Sequence, residues 1–116
     1  VIDPVRHGMV LAASQGRLTE ARTAFEALAG AGFPPGTQRY ALPLLRTAAM
    51  IEADARGLPA AEADRPELLA LIRRYTKNLP MLVPVWAAHG VFIDAELARA
   101  EGTDTPGHWA RAAEAF

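Results

Sequence analysis

The sequence contains no cysteine, one serine and one lysine. The absence of cysteine excludes disulfides, thiolate metal sites and a cysteine nucleophile. Ser14 has no visible base or oxyanion hole to make it a serine nucleophile. No Gly-x-x-x-x-Gly-Lys-Ser/Thr loop surrounds Lys77, so the chain lacks a phosphate cradle of that kind. The histidines are not at metal-ligand spacing. We therefore expect no enzymatic activity, no cofactor and no metal site in this segment.

An excess of charge and long apolar runs are also missing. The sequence has 12 Lys and Arg against 13 Asp and Glu, for a net charge of -1, which argues against a dominant nucleic-acid-binding face. No apolar run approaches the ~18 residues of a membrane span, and no signal peptide opens the chain. The cluster Arg73, Arg74 and Lys77 fits the end of a helix, where cations complement the helix dipole. We expect a cytoplasmic protein that binds neither nucleic acid nor membrane.

Alanine is the abundant residue, with 25 copies against 17 for valine, isoleucine and threonine together. Alanine is the strongest helix former, whereas β-branched residues favour strands. Apolar residues recur at helical spacing along most of the chain. The predicted helices cover residues 4–14, 20–29, 40–56, 65–78 and 81–101, with a sixth from Pro106 onward. The predicted fold class is all-α with no strand.

Residue types at the ends of these helices predict how each begins and stops. The predicted N-caps are Asp3, Thr19, Asp64 (in a capping box with Glu67) and Thr105. Three glycines are expected to end helices in left-handed conformation, namely Gly16, Gly57 and Gly102. Pro43 leaves two interpretations, since an interior proline costs ~3 kcal/mol: the third helix begins near it, or residues 38–42 form a separate turn followed by a kink.

The three helix-ending glycines recur at intervals of 41 and 45 residues. A pair of helices repeated at such intervals is typical of an α-solenoid. We expect one domain over residues 1–116, built from three antiparallel hairpins at about 4–31, 38–79 and 81–116. The chain begins at Val1 rather than Met and stops at Phe116 inside a helical pattern, so we also expect a fragment of a longer protein.

Two stretches carry a family resemblance. Gly8 to Phe33 resembles a tetratricopeptide unit, with Gly8, Gly16, Ala21, Phe25 and Leu28 matching its alternation of small and large residues. The passages 95–102, 108–116 and 39–45 are similar to the helical-repeat region of large ATP-binding LuxR-type transcription regulators of actinobacteria, which include relatives of the maltose activator MalT.

This resemblance implies a tetratricopeptide-like α-α superhelix of about six helices. It implies a non-catalytic interaction and sensing module of a transcription regulator, which contacts a protein partner or another copy of itself. ATP binding and DNA binding would belong to domains absent from this segment. The alternative is a sensor domain that binds a small-molecule effector between the second and third hairpins.

Two groups of residues are candidates for binding. A concave groove or effector site would be lined by Arg6, Arg39, Arg46 and His89, although a solvated face is the more ordinary explanation of the arginines. A self-association surface, giving a homodimer, would comprise Trp86, Ile93, Leu97, Trp109 and Phe116. Aromatic residues at helical spacing are otherwise core residues. We place the dimer contact on the C-terminal hairpin, because its apolar face has no following helix to cover it.

Overall fold

The computed structural model describes residues 2–33, 38–79 and 84–115. These ranges contain six helices of ten or more residues, one four-residue helix and no strand, which confirms the all-α prediction. The helices are α1 (Ile2–Ser14), α2 (Leu18–Gly30), α3 (Gln38–Asp54), α4 (Pro59–Glu62), α5 (Arg65–Asn78), α6 (Pro84–Glu101) and α7 (Pro106–Ala115).

Several boundaries differ from the sequence prediction. Helix α1 begins at Ile2, so Asp3 lies inside it rather than ahead of it. Helix α3 runs from Gln38 through Pro43 as one helix and ends at Asp54, so neither interpretation of the proline is correct. Helix α4 was expected to be part of a loop. Residues 81–83 of the fifth predicted helix lie outside the described ranges.

Two of the predicted glycine stops close their helices with paired backbone hydrogen bonds. Gly16 has φ of 76°, the amide of Arg17 donates to Ala12 O at 2.8 Å, and the amide of Gly16 donates to Ala13 O at 3.0 Å. Gly102 repeats this arrangement at the end of α6, where the amide of Thr103 donates to Ala98 O at 2.8 Å. Both ends are Schellman motifs, in which a left-handed residue is required.

Gly57 is also left-handed, with φ of 94°, but it lies three residues beyond the end of α3. Its amide donates to Glu62 Oε1 at 3.3 Å, across the turn into α4. The prediction of a left-handed glycine is confirmed here, and the predicted helix end is two residues too late.

Of the four predicted N-caps, only Thr105 is confirmed as a side-chain cap. Thr105 is confirmed as a cap: its Oγ1 accepts from the amide of His108 at 3.4 Å, and its own amide donates to His108 Nδ1 at 3.0 Å. Thr19 lies within α2, whose N-cap position is Arg17. Asp64 occupies the N-cap position of α5, but its backbone is left-handed, with φ of 61°, and its side chain makes no capping hydrogen bond. The capping box with Glu67 is therefore wrong.

The helices pack around α3, which contacts α1, α5 and α6, while α2 pairs with α1 and α7 with α6. Helices α3 and α6 run parallel, because Arg99 pairs with Asp54, 45 residues earlier, and Arg46 lies over the ring of Phe92. Helices α2 and α5 also run parallel. Arg22 donates to Ala63 O just before α5 begins, and Tyr75 near the end of α5 donates to Ala29 O.

The core follows α3 along its length. Its largest fully buried apolar side chains are Met9, Phe25, Leu42, Leu44, Leu45, Ile72, Ile93 and Leu97. Burying a side chain of this size contributes ~1.5–3 kcal/mol. Helix α6 contacts α3, α5 and α7. Among the described residues no helix combines the length and the apolarity needed to cross a bilayer.

Candidate functional site

The predicted groove residues Arg46 and His89 come together where α3, α6 and α7 meet. The guanidinium carbon of Arg46 lies 3.8 Å from the ring centroid of Phe92. A cation this close to an aromatic face is held by the ring quadrupole. His89 lies one turn before Phe92 on α6 and is close enough to Arg46 for the two to interact electrostatically. We call Arg46, His89, Phe92 and Trp109 the Arg46 cluster.

His89 is half-buried, and its pKa is lowered from the ordinary histidine value near 6.5. Burial is the larger cause, since it penalises the charged imidazolium, and the neighbouring Arg46 cation adds repulsion. The imidazole is therefore neutral at neutral pH. A neutral ring beside a fixed cation suits recognition of a carboxylate or a peptide carbonyl.

Trp109 extends the Arg46 cluster onto α7. Its ring meets Phe92 edge-on, with the centroids 6.2 Å apart, and its Nε1 donates to Asp104 Oδ2 at 2.8 Å. Such an edge-on contact adds about 0.5–1.5 kcal/mol beyond the buried area. Trp109 is half-buried. Part of the apolar surface predicted at the C-terminal hairpin is therefore covered by contacts within the chain.

The structure contradicts two further members of the predicted self-association surface, Ile93 and Leu97. Ile93 and Leu97 are 0% and 1% exposed, so they belong to the core and cannot meet another copy. Trp86 is half-buried and packs against the same core. Phe116 lies outside the described residues. Ile93 and Leu97 face inward because α3 and α5 both pack on α6.

The remaining groove candidates lie further from the cluster in sequence. Arg39 is exposed at the start of α3, two turns before Arg46 and thus about 10 Å away along the same face of the helix. Arg6 is half-buried on α1 and lies beside His7, with Arg6 Nη2 and His7 Nε2 3.3 Å apart. Arg46 and His89 are thus the pair that the described contacts bring together.

A second candidate is a cleft between α5 and α6, at the place where the sequence suggested an effector pocket. Its central part has a volume of about 490 Å³. Arg73 and Lys77 contribute cations from α5, and Asp94 contributes a carboxylate from α6. Arg73 and Asp94 also line a neighbouring recess of about 330 Å³ that reaches His108 and Arg111 on α7. We call these two recesses the α5–α6 cleft.

The α5–α6 cleft is bordered by an ion pair between Arg73 and Glu101. The hydrogen bonds between them raise the pKa of Arg73 and lower the pKa of Glu101. Both side chains are substantially exposed, so the pair contributes at most about 1 kcal/mol. The cleft thus offers both signs of charge and a partly apolar floor formed by Val91 and Leu97.

Sequence reasoning missed a buried ion network at the other side of α3. Glu52 is 1% exposed and accepts two hydrogen bonds from Arg22, from Nε at 2.8 Å and from Nη2 at 2.6 Å. Arg65 is 5% exposed, donates to Glu52 O at 3.0 Å, and its Nε lies 3.6 Å from Glu52 Oε1. Arg22 also donates to Ala61 O. This network ties α2, α3, α4 and α5 together.

The network contributes to the structure by pairing charges of different helices. Every charged group in it is paired inside the chain, as buried charges require. One signal could have revealed it: Glu52 falls on the stripe of Ala48 and Ala55, which are both buried. A carboxylate in an otherwise apolar stripe requires a buried cation.

The described residues contain no group of three or more His, Asp or Glu side chains placed to hold a metal ion. His108 is engaged in capping α7 rather than in ligation. The comparisons with known proteins add no relative: no family model, curated protein or solved structure matches this chain.

Proposed function

We propose that this chain is a non-catalytic helical-repeat module that mediates protein–protein contacts or self-assembly. The observation that carries the proposal is the parallel packing of α3 on α6, with contacts such as Asp54 to Arg99 at a separation of 45 residues. That separation equals the interval between Gly57 and Gly102. Matching intervals in sequence and in packing support a stack of tetratricopeptide-like hairpins.

The binding surface in this proposal is the Arg46 cluster. Arg46, the neutral His89 and Phe92 combine a cation, a hydrogen-bonding ring and an apolar face within one small area. Charged-to-aromatic patches of this kind supply the anchors of protein interfaces. The partner would present a carboxylate beside an apolar group.

The resemblance to LuxR-type regulators supplies the biological setting. In that setting the chain is the helical-repeat part of a cytoplasmic MalT-like transcription regulator, and ATP and DNA bind to other domains. The reading frame that encodes residues 1–116 tests this part directly. We expect a Gly-x-x-x-x-Gly-Lys-Ser/Thr loop on its N-terminal side and a helix-turn-helix on its C-terminal side. A frame that encodes neither contradicts the regulator assignment.

The binding role is tested by titrating the isotope-labelled chain with the separately expressed neighbouring domains of that frame. We expect resonances of Arg46 and His89 to shift, and the double variant Arg46→Ala/His89→Ala to weaken binding at least tenfold. Arg17→Ala is the matched control, because Arg17 is exposed in the turn between α1 and α2. Equal affinity for both variants contradicts a binding role for the cluster.

The second candidate function is a sensor that binds a small-molecule effector. The α5–α6 cleft favours it, because Arg73, Lys77 and Asp94 provide both charges for a zwitterionic ligand. Amino acids and short peptides, screened by chemical-shift changes of the labelled chain, are suitable probes. Saturable shifts at Val91 and Asp94 that Lys77→Ala removes would support the sensor. Shifts confined to the Arg46 cluster would favour the interaction module.

A further inference from the structure

A pocket lies where the turn after α3, the start of α5 and the end of α6 meet. Arg56 and Gly57 line it from the turn, Arg65 and Leu69 from α5, and Ala100 from α6. We call it the Arg56 pocket. Its volume of about 700 Å³ exceeds that of either recess of the α5–α6 cleft and is typical of small-molecule sites. It shares no residue with the Arg46 cluster.

The two carboxylates in the wall of the Arg56 pocket already have partners within the chain. Glu62 Oε1 accepts a hydrogen bond from Arg65 Nη1 at 3.2 Å and another from the amide of Gly57 at 3.3 Å. Glu101 pairs with Arg73. The negative charge of this wall is therefore balanced by the chain itself.

The positive charge of the pocket is not balanced in the same way. Among the described residues Arg56 has no partner, since its guanidinium makes neither a hydrogen bond nor an ion pair with them. Arg65 is 5% exposed, and its ion pair with Glu52 Oε1 spans 3.6 Å, which leaves Arg65 Nε without a hydrogen bond in the described part of the chain. Buried donors without an acceptor are rare in folded proteins. The pocket thus combines an unpaired cation with unused donors.

Gly102 gives the guanidinium of Arg56 its place at the wall of the pocket. A Cβ on residue 102 would lie 2.5 Å from Arg56 Cζ and 3.0 Å from Arg56 Nε, which is closer than such atoms approach. The guanidinium therefore lies against the Cα of the glycine that ends α6. A side chain at position 102 would move the guanidinium without changing its charge.

The chemistry of the Arg56 pocket fits a small monocarboxylate. A guanidinium donates two parallel hydrogen bonds to a carboxylate, and such charge-assisted pairs are among the strong hydrogen bonds of proteins. The buried side chains of Leu69 and Ala100 provide an apolar wall for the rest of the ligand. A dianion such as phosphate fits less well, because Glu62 and Glu101 would repel its second charge.

We infer that the Arg56 pocket binds a small organic monocarboxylate, with the carboxylate paired to Arg56 and the apolar part against Leu69 and Ala100. This ligand site is separate from the α5–α6 cleft and goes beyond the proposed interaction role. A single charge-assisted pair and a small apolar contact give a small acid an affinity in the millimolar range.

Chemical-shift titration of the isotope-labelled chain with butyrate and with benzoate tests the inference. We expect saturable shifts of the amides of Gly57, Leu69 and Ala100, whereas butyramide and benzamide should give none at the same concentrations. Inorganic phosphate should bind more weakly than either acid. Arg56→Gln should weaken binding by about tenfold or more. Arg17→Ala, which removes an exposed arginine in the turn between α1 and α2, is the matched control and should bind as the wild type does.

Two glycine variants separate the position of the guanidinium from its charge. Gly102→Ala should weaken the binding of benzoate several-fold, because the added Cβ displaces Arg56. Gly16→Ala places the same kind of backbone strain at a site with open space around it, so it should bind benzoate as the wild type does. Equal affinity of the two variants would contradict the placement of Arg56 at the pocket wall.

Four other results would overturn the inference: equal shifts with acid and amide, shifts confined to Val91 and Asp94 of the α5–α6 cleft, tighter binding of phosphate than of the acids, or full affinity in Arg56→Gln. The absence of any saturable shift up to about 100 mM acid would overturn it as well. None of these results bears on the titration of the Arg46 cluster, so the proposed binding role is tested separately.

Discussion

Glu52 supplies the carboxylate at the centre of the buried ion network. Its carboxylate, which is buried, pairs with the partly buried Arg22 and the buried Arg65. Removing one member of a buried ion pair costs ~3–5 kcal/mol, because the remaining charge stays buried. We expect Glu52→Gln to lower the free energy of unfolding by about 3 kcal/mol, since the amide oxygen still accepts one hydrogen bond. Urea unfolding measures this change.

A matched control is available on α2. Glu20 pairs with Arg17 at 2.9 Å, but both side chains are exposed. Glu20→Gln should change the unfolding free energy by less than about 1 kcal/mol. If the two variants are equally stable, the buried network contributes nothing beyond a surface ion pair.

His89 gives the protein a dependence of stability on pH. Because its pKa is lower in the folded chain than the ordinary value near 6.5, the unfolded chain binds more protons as the pH falls through that value. Stability contributed by the neutral ring is therefore present above pH 6.5 and declines below it. Nuclear magnetic resonance titration of the His89 ring should give a lowered pKa, and Arg46→Gln should shift it upward.

The dependence of stability on pH also separates the contribution of His89 from that of the carboxylates. Glu101 also loses stabilisation on acidification, since its pKa is lowered by Arg73, but it does so below the ordinary carboxylate value near 4.5. A variant His89→Gln should flatten the decline of stability that begins as the pH falls through about 6.5. An unchanged profile in that range would show that burial does not perturb this ring.

At the scale of single elements, replacement by alanine should destabilise the chain at the helix-ending glycines and stabilise it at Gly8, which lies inside a helix. Gly16 has a left-handed backbone with open space around its Cα, so Gly16→Ala should cost about 1–2 kcal/mol from the backbone alone. Gly8 lies inside α1, also in open space, and Gly8→Ala should stabilise the chain by about 0.5–1 kcal/mol. Thermal unfolding of the two variants compares them directly.

Gly102→Ala extends the comparison to a crowded site. A Cβ there would collide with the guanidinium of Arg56, which is the far end of a flexible side chain and can move. We therefore expect the cost of Gly102→Ala to be close to that of Gly16→Ala. A much larger loss would mean that Arg56 is held in place.

These elements also show which features could be predicted from the sequence. Gly16 and Gly102 were predicted because a left-handed helix end excludes most other residues. The prediction of Thr19 as an N-cap was wrong, whereas Asp64 does occupy the N-cap position of α5 but makes no capping hydrogen bond with its side chain. Asp64 is left-handed instead, since the chain reverses directly after the short helix α4. Pro59, at the first position of α4 and followed by Ala60, Ala61 and Glu62, was a signal for that helix that the sequence interpretation did not use.

At the scale of the whole molecule, charge balance predicts how the chain behaves toward DNA. The net charge is -1, and Arg73, in the densest basic cluster, is already paired with Glu101. Few counterions would be released on binding a duplex. We expect no sequence-specific retention of duplex DNA at physiological salt. Filter binding with the wild-type chain and with Arg73→Ala/Arg74→Ala checks this, and specific retention that the double variant abolishes would contradict it.

The arrangement of helices was predicted in part. The pairing of α1 with α2 and of α6 with α7 follows from links too short for any other packing. The sequence did not indicate the joining of Arg46 to Phe92, or of Arg22 to Glu52, because side chains 30 to 46 residues apart meet only after the helices have packed.

The buried ion network around Arg22 and Glu52 also has a consequence for the folding kinetics. Its partners are separated by 30 to 41 residues, so the loops between them must close before these bonds can form. Local hairpins such as α1–α2 meet at far shorter separations and are able to form first. We therefore expect the network to form after the folding transition state, so that losing it accelerates unfolding and leaves the folding rate nearly unchanged. Replacing Arg22 or Glu52 should therefore shorten the lifetime of the folded state.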